Sequence, residues 1–141
     1  MFDKEKLLYL AGIIDGEGCI GIEFQAANKR CRKVDYYIPR VSVINSSLAL
    51  IEWLTEHFGG KYHTRKKEAG KKYIYVWNIF GQHMEDVIRA VEPFLIVKNQ
   101  VANIILEYRA TIADEWHISE DTHKRRKELY LRMRIVNKVG D

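Results

Sequence analysis

Apolar residues recur along the chain with two different periods. Leu7, Leu10 and Ile14 stand at helical spacing within residues 3–14, and Asp3 is placed to cap that segment. Gly16, Gly18 and Gly21 follow and are expected to end the helix. Residues 19–25 then alternate as a strand. Residues 36–45 alternate again, with Val41 and Val43 on one face and Arg40, Ser42 and Ile44 on the other. Pro39 inside this second strand points to an edge or a bulge, because it cannot donate to a ladder. Ser46 or Ser47 can cap a helix to residue 58 that carries Leu50, Ile51 and Leu54, and Gly59-Gly60 stops it. Residues 61–67 and 71–79 read as a hairpin around Glu68-Ala69-Gly70. Helices are expected over 82–91, 97–112 and 122–136, with Pro93 breaking the chain after the first. The order is helix, two strands, helix, two strands, then helices. That is an α+β domain with an antiparallel sheet of about four strands, and no composition shift divides residues 1–141 into two units.

Composition narrows the picture. No apolar run approaches the roughly 20 residues that span a bilayer, so no membrane partner is expected. The start mixes acids and bases in the manner of neither a signal peptide nor a transit peptide. Two cysteines, Cys19 and Cys31, make neither a disulfide scaffold nor a four-ligand zinc site, and the five histidines fall in no metal-ligand spacing. The expected setting is therefore intracellular and reducing, with the cytoplasm of a prokaryote and an organelle both left open. Charge is segregated. Lys29, Arg30, Arg32, Lys33 and Arg40 form one basic group, Lys61 with Arg65, Lys66, Lys67, Lys71 and Lys72 a second, and Lys124-Arg125-Arg126-Lys127 a third. Tyr36, Tyr37, Tyr62, Tyr73, Tyr75 and Trp77 are interleaved with the first two. Basic patches with aromatics between them suit a nucleic acid.

Gly16-Glu17-Gly18-Cys19-Ile20-Gly21 matches G-x-G-x-x-G by letter, but it follows a helix and opens a strand. A dinucleotide fingerprint needs the reverse order. The helix before it says more. Leu8, Ala11, Gly12 and Asp15 share one face, whose small residues permit close approach of a second helix. Two such helices crossing there would set two Asp15-Gly16-Glu17-Gly18 turns side by side, which suits a pair of hard cations with oxygen ligands. The alternative is internal packing at Gly12 with Asp15 and Glu17 simply solvated.

Leu10-Ala11-Gly12-Ile13-Ile14-Asp15-Gly16-Glu17-Gly18 resembles the signature of the LAGLIDADG homing endonucleases. Pro93-Phe94-Leu95-Ile96-Val97-Lys98-Asn99-Gln100 resembles the family's segment leading into a late helix, where a catalytic-centre lysine sits. The resemblance implies an αββαββα core with the four-stranded antiparallel sheet and extra C-terminal helices. The chain holds one motif; single-motif members act as homodimers, and double-motif members are about twice as long.

The resemblance also implies roles. Glu17 would ligate divalent metal (Mg²⁺ or Mn²⁺, with Ca²⁺ able to bind without supporting cleavage), and the Gly16 carbonyl would add a ligand. Lys98 would lie near the scissile phosphate. Asn45, favoured over Ser46 and Ser47, would help place the attacking water, while Asp15 would organise the motif turn rather than bind metal. Leu8, Ala11, Gly12 and Asp15 would meet the second copy. The sheet would read bases of double-stranded DNA through Glu23, Gln25, Arg40, Ser42, His63 and Arg65, extended by the loop residues Asn28, Lys29, Arg30, Arg32 and Lys33. Lys66, Lys71, Lys72, Lys124 and Arg125 would meet phosphates. Tyr73, Tyr75 and Trp77 would face either DNA or the core, and Tyr75 is counted with the DNA residues. The expected activity is a site-specific, metal-dependent hydrolase that cuts both strands of a long pseudo-palindromic target, encoded by an intron. The alternatives are a maturase that binds intron RNA on the same scaffold, and a DNA-binding regulator without cleavage.

Overall fold

The computed structural model describes residues 2–28, 35–65, 69–112 and 119–139. Lys29, Arg30, Arg32, Lys33 and Lys66 lie outside the described residues, as do Cys31 and Lys67. Helix α1 (Lys4–Glu17) leads into strands β1 (Gly18–Gln25) and β2 (Tyr36–Asn45). Helix α2 (Leu48–Phe58) precedes β3 (Lys61–Arg65) and β4 (Ile74–Ile79). Helix α3 (Gly81–Val91), a 3₁₀ turn (Glu92–Phe94), α4 (Asn99–Ala110) and α5 (Glu120–Val139) follow. The strands form one antiparallel sheet in the order β1-β2-β4-β3.

Side-chain parity divides the sheet into a covered and a bare face. Ile20 and Ile22 of β1, Val41 and Val43 of β2, and Trp77 and Ile79 of β4 are all buried, and the helices pack on that side. Leu10, Ile14, Ile51, Leu54, Met84, Ile88 and Ile105 complete the core between sheet and helices. Tyr130 of α5 joins Phe24 and Tyr37, with ring centroids 5.8 and 5.3 Å away, so α5 belongs to the helical layer. The other parity, including Cys19, Glu23, Arg40, Ile44, Asn78, Lys61, His63 and Arg65, forms the bare face.

Three local expectations change for identifiable reasons. First, α1 runs through Gly16 to Glu17 instead of stopping near residue 14. Its end is held from outside: Lys98 Nζ donates to the Ile14 carbonyl at 2.9 Å and to the Gly18 carbonyl. No basic residue stands in α1's own last turn, so Lys98 supplies the cation that the negative end of the helix dipole favours. Second, α4 starts at Asn99 and not at residue 97; the N–H groups of Ile96, Val97 and Lys98, just before it, turn toward Asp15. Third, β2 is an inner strand, yet Pro39 is tolerated. Pairing with β4 begins only at Val41, so Pro39 faces β1 on one side and no strand on the other. The Asp3 cap is as expected, its carboxylate accepting from Glu5 N at 2.9 Å and Lys6 N at 3.3 Å. Ser47 is the cap of α2.

Candidate active site

The β1–β2 ladder sets up the site. Gly18 pairs with Val43, so the end of α1 and the end of β2 finish side by side. There Asn45 Nδ2 donates to Glu17 Oε2 at 2.6 Å. The amide cannot turn freely, since Asn45 Oδ1 accepts from Ser47 N at 2.7 Å. Glu17 is exposed and Asn45 half-buried. Asp15 faces the opposite way: its carboxylate accepts from Ile96 N at 2.8 Å, Lys98 N at 3.0 Å and Val97 N at 3.2 Å. Three consecutive N–H groups converging on one carboxylate make an anion nest, and here the anion is internal. Asp15 therefore ties the motif turn to the start of α4 and delivers Lys98 to the back of that turn. Sequence reasoning placed Glu17, Asn45 and Lys98 in one site, and the fold brings all three to the same turn.

Chemically, the turn offers one outward carboxylate and backbone carbonyls. Gly16 is exposed, with nothing within 4 Å of where a Cβ would stand. Among the described residues no group of three His, Cys, Asp or Glu side chains could hold a metal alone. That donor set still fits Mg²⁺, which commonly takes one or two carboxylates and completes its shell with phosphate oxygens and water. It fits best where a second chain and a phosphodiester supply the remaining oxygens.

The proposed DNA residues divide. Glu23, Gln25, Arg40, Ser42, His63 and Arg65 all fall on the bare face. Arg40 and Glu23 pair at 3.1 Å, and Gln25 Nε2 reaches Glu23 Oε1 at 3.4 Å, so these side chains already constrain one another. Ser42 is hemmed in by its neighbours and buried. Tyr75 is a correction: it shares parity with Trp77 and Ile79 and packs half-buried on the helical side, so it does not reach the bare face. Alternation read backwards from Ile79 would have shown this. Asn28, Lys71 and Lys72 are exposed. Lys124 is exposed on α5 in the helical layer, and Arg125 there binds Glu107 at 3.0 Å. Lys61, named from sequence only as part of a basic group, and Asn78, not singled out there, join the bare face. Far from the site, burial pushes the Tyr108 phenol up to about 12 against the opposing pull of Arg126, which marks a packed ring rather than a reacting one.

The small face of α1 needs one correction. Ala11 is 3% exposed and faces its own core. Asp15 is half-buried and engaged with the α4 segment. What remains outward is Leu8, 48% exposed, with Gly12 and Gly16. Ile96 and Val97, at 89% and 65% exposed, are joined to that surface through Asp15. Apolar side chains so exposed beside an open glycine mark a surface that requires cover.

No family model matches the sequence. No curated protein matches it either. The fold is nevertheless that of the LAGLIDADG homing endonucleases. I-CvuI, solved with an I-CreI target in the presence of Mg and with DNA not cleaved, superposes with a TM-score of 0.79 at 15% identity, covering 94% of this chain and 82% of that one. The archaeal intron-encoded homing endonuclease I-Vdi141I, complexed with DNA, gives a TM-score of 0.77 at 19% identity over 94% of this chain and 84% of that one. The I-SmaMI LAGLIDADG homing endonuclease, bound to cleaved DNA, gives 0.71 at 13% identity over 90% of this chain and 43% of that longer one. At these identities the likeness is one of architecture.

Proposed function

We propose that the chain is a divalent-metal-dependent endonuclease that assembles as a homodimer and cuts both strands of a long, two-fold-related DNA site. The carrying observation is the outward Glu17 carboxylate, held by Asn45 at 2.6 Å at the tip of a helix whose neighbouring surface is open and apolar. Two copies meeting along Leu8, Gly12 and Gly16 would place two such carboxylates together. Two-fold assembly makes the preferred target two-fold as well. No helix among the described residues is long and apolar enough to cross a membrane. The intron-encoded origin stated in the name of I-Vdi141I is part of the same reading for this chain.

In this reading Glu17, with the Gly16 carbonyl, would hold Mg²⁺. Bound metal would supply charge neutralisation on the phosphate and acidify a water. The rest falls to the chain's own groups. Asn45 fixes the carboxylate rotamer and presents the edge of β2 to the reacting phosphate. Lys98 solves an electrostatic problem. The C-terminal end of α1 points carbonyls, and their partial negative charge, toward the place a phosphate would occupy. A cation bonded to two of those carbonyls removes the repulsion. The bare face supplies base readers, since a two-stranded ribbon fits the major groove and alternate residues face it.

Purified protein incubated with a randomised duplex library tests this. With MgCl₂, sequencing of the ends is expected to show paired cuts at one recurring two-fold-related sequence. With EDTA the ends are expected to vanish. Ends scattered without sequence preference, or the same ends in EDTA, would overturn the proposal.

A further inference from the structure

The bare sheet face carries mainly polar and charged side chains, with Tyr36 and Ile38 toward one end of β2 and a compact aliphatic group at the other. Ile44 of β2 is directly opposite Val76 of β4, and Ile74 lies two residues from Val76 on the same side. Ile44 and Ile74 are each 39% exposed, and Val76 forms the floor between them at 6%. His63 and Arg65 of β3 pair with Val76 and Ile74 and border the patch with donors. The described helices pack on the opposite side of the sheet, so no helix among the described residues covers these side chains.

We infer that Ile44, Ile74 and Val76 form a subsite that reads the C5-methyl group of thymine. The inference rests on the endonuclease reading above. A basic surround draws a polyanion to this face, but phosphates gain nothing from aliphatic carbon. In the major groove the one apolar group a base pair presents is the thymine methyl. Cytosine puts an N4 amino donor on its exposed edge instead, and an aliphatic wall leaves that donor without an acceptor. The patch thus favours thymine twice, by burying its methyl and by stranding the amino group of the competitor. Its place in the target follows from the chain: Ile44 immediately precedes Asn45, which holds Glu17. The thymines it reads lie close to the cut, once in each half-site.

The test uses the full chain and the duplex recovered from the library selection, with binding measured in Ca²⁺. Each thymine is replaced singly by deoxyuridine, which deletes the methyl and nothing else. The unaltered protein is expected to bind roughly three- to fivefold more weakly when a contacted thymine near the centre is replaced, the size set by one buried methyl. Replacements elsewhere should change nothing. In Ile44→Ser and Ile74→Ser, which remove the aliphatic methyl groups, the central sensitivity should disappear. Deoxyuridine tolerated at every position by the unaltered protein would overturn the subsite, and that arm needs no variant to fold. Sensitivity that persists unchanged in both serine variants would overturn it too. Both of those results leave the endonuclease reading standing. Failure of the library to yield any preferred duplex removes that reading and the subsite with it.

Discussion

Glu17→Gln is expected to lower strand cleavage by about a thousandfold or more while leaving DNA binding within a few fold. The side chain is exposed and its neighbour Asn45 can bond an amide oxygen as it does a carboxylate, so the turn should keep its shape. What the substitution removes is the negative charge that holds a divalent cation. Metal-based charge neutralisation is worth several kcal/mol in a phosphoryl transition state, and each 1.36 kcal/mol is about tenfold in rate. In the proposed reading, binding would draw on contacts spread over the bare face, and residue 17 is not among them. Cleavage and gel-shift assays on the same duplex separate the two. Cleavage by Glu17→Gln at the rate of the unaltered protein would remove the carboxylate from the chemistry.

The second large effect is expected at Gly18. A Cβ there would stand 2.7 Å from Ile14 Cα and 3.0 Å from the Ile14 carbonyl oxygen. Both are backbone atoms of a helix turn whose side chain is fully buried, so the turn cannot swing outward. The Ile14 and Gly18 carbonyls are also the two acceptors of Lys98. Gly18→Ala must therefore displace α1 from β1 or Lys98 from both. Overpacking of this kind costs about 1–3 kcal/mol. For a domain of this size that lowers the melting midpoint by very roughly 3–12 °C. Cleavage should fall further than stability alone explains, with kcat affected more than KM. Gly21→Ala is the control, because nothing lies within 4 Å of its Cβ position. An unchanged melting midpoint and rate for Gly18→Ala would contradict the geometry of the turn.

These two residues also show what a sequence can and cannot carry. The body of α1 was legible, because Leu7, Leu10 and Ile14 announce their face locally and Asp3 caps within three residues. Its end was not. Three glycines read as a stop, and what lets the helix continue is a lysine more than eighty residues away in sequence. No local pattern encodes such a contact. The same holds for Asp15: a role in organising the turn was legible, but its three N–H partners at residues 96–98 were not. The sheet gives the converse case. Alternation fixed β1 and β2 correctly, whereas β4 carried aromatics at Tyr73, Tyr75 and Trp77 that suited either face. Burial of Trp77, with its indole N–H donating to the Gly59 carbonyl at 2.8 Å, decides the strand's orientation. It sends Tyr75 inward and Ile74 and Val76 outward. Ala11 was misassigned for a related reason: a small residue fits a helix–helix contact and a tight core equally well, and only packing distinguishes them.

The account stands on two copies of α1 meeting at their open face. Light scattering on the purified protein and on Gly12→Leu, run beside the cleavage assay, tests this directly. The unaltered chain should have twice the single-chain mass. Gly12→Leu, which adds a branched side chain where nothing now lies within 4 Å, should have the single-chain mass and leave both DNA strands intact. A Gly12→Leu protein of single-chain mass that still cuts both strands would contradict the account.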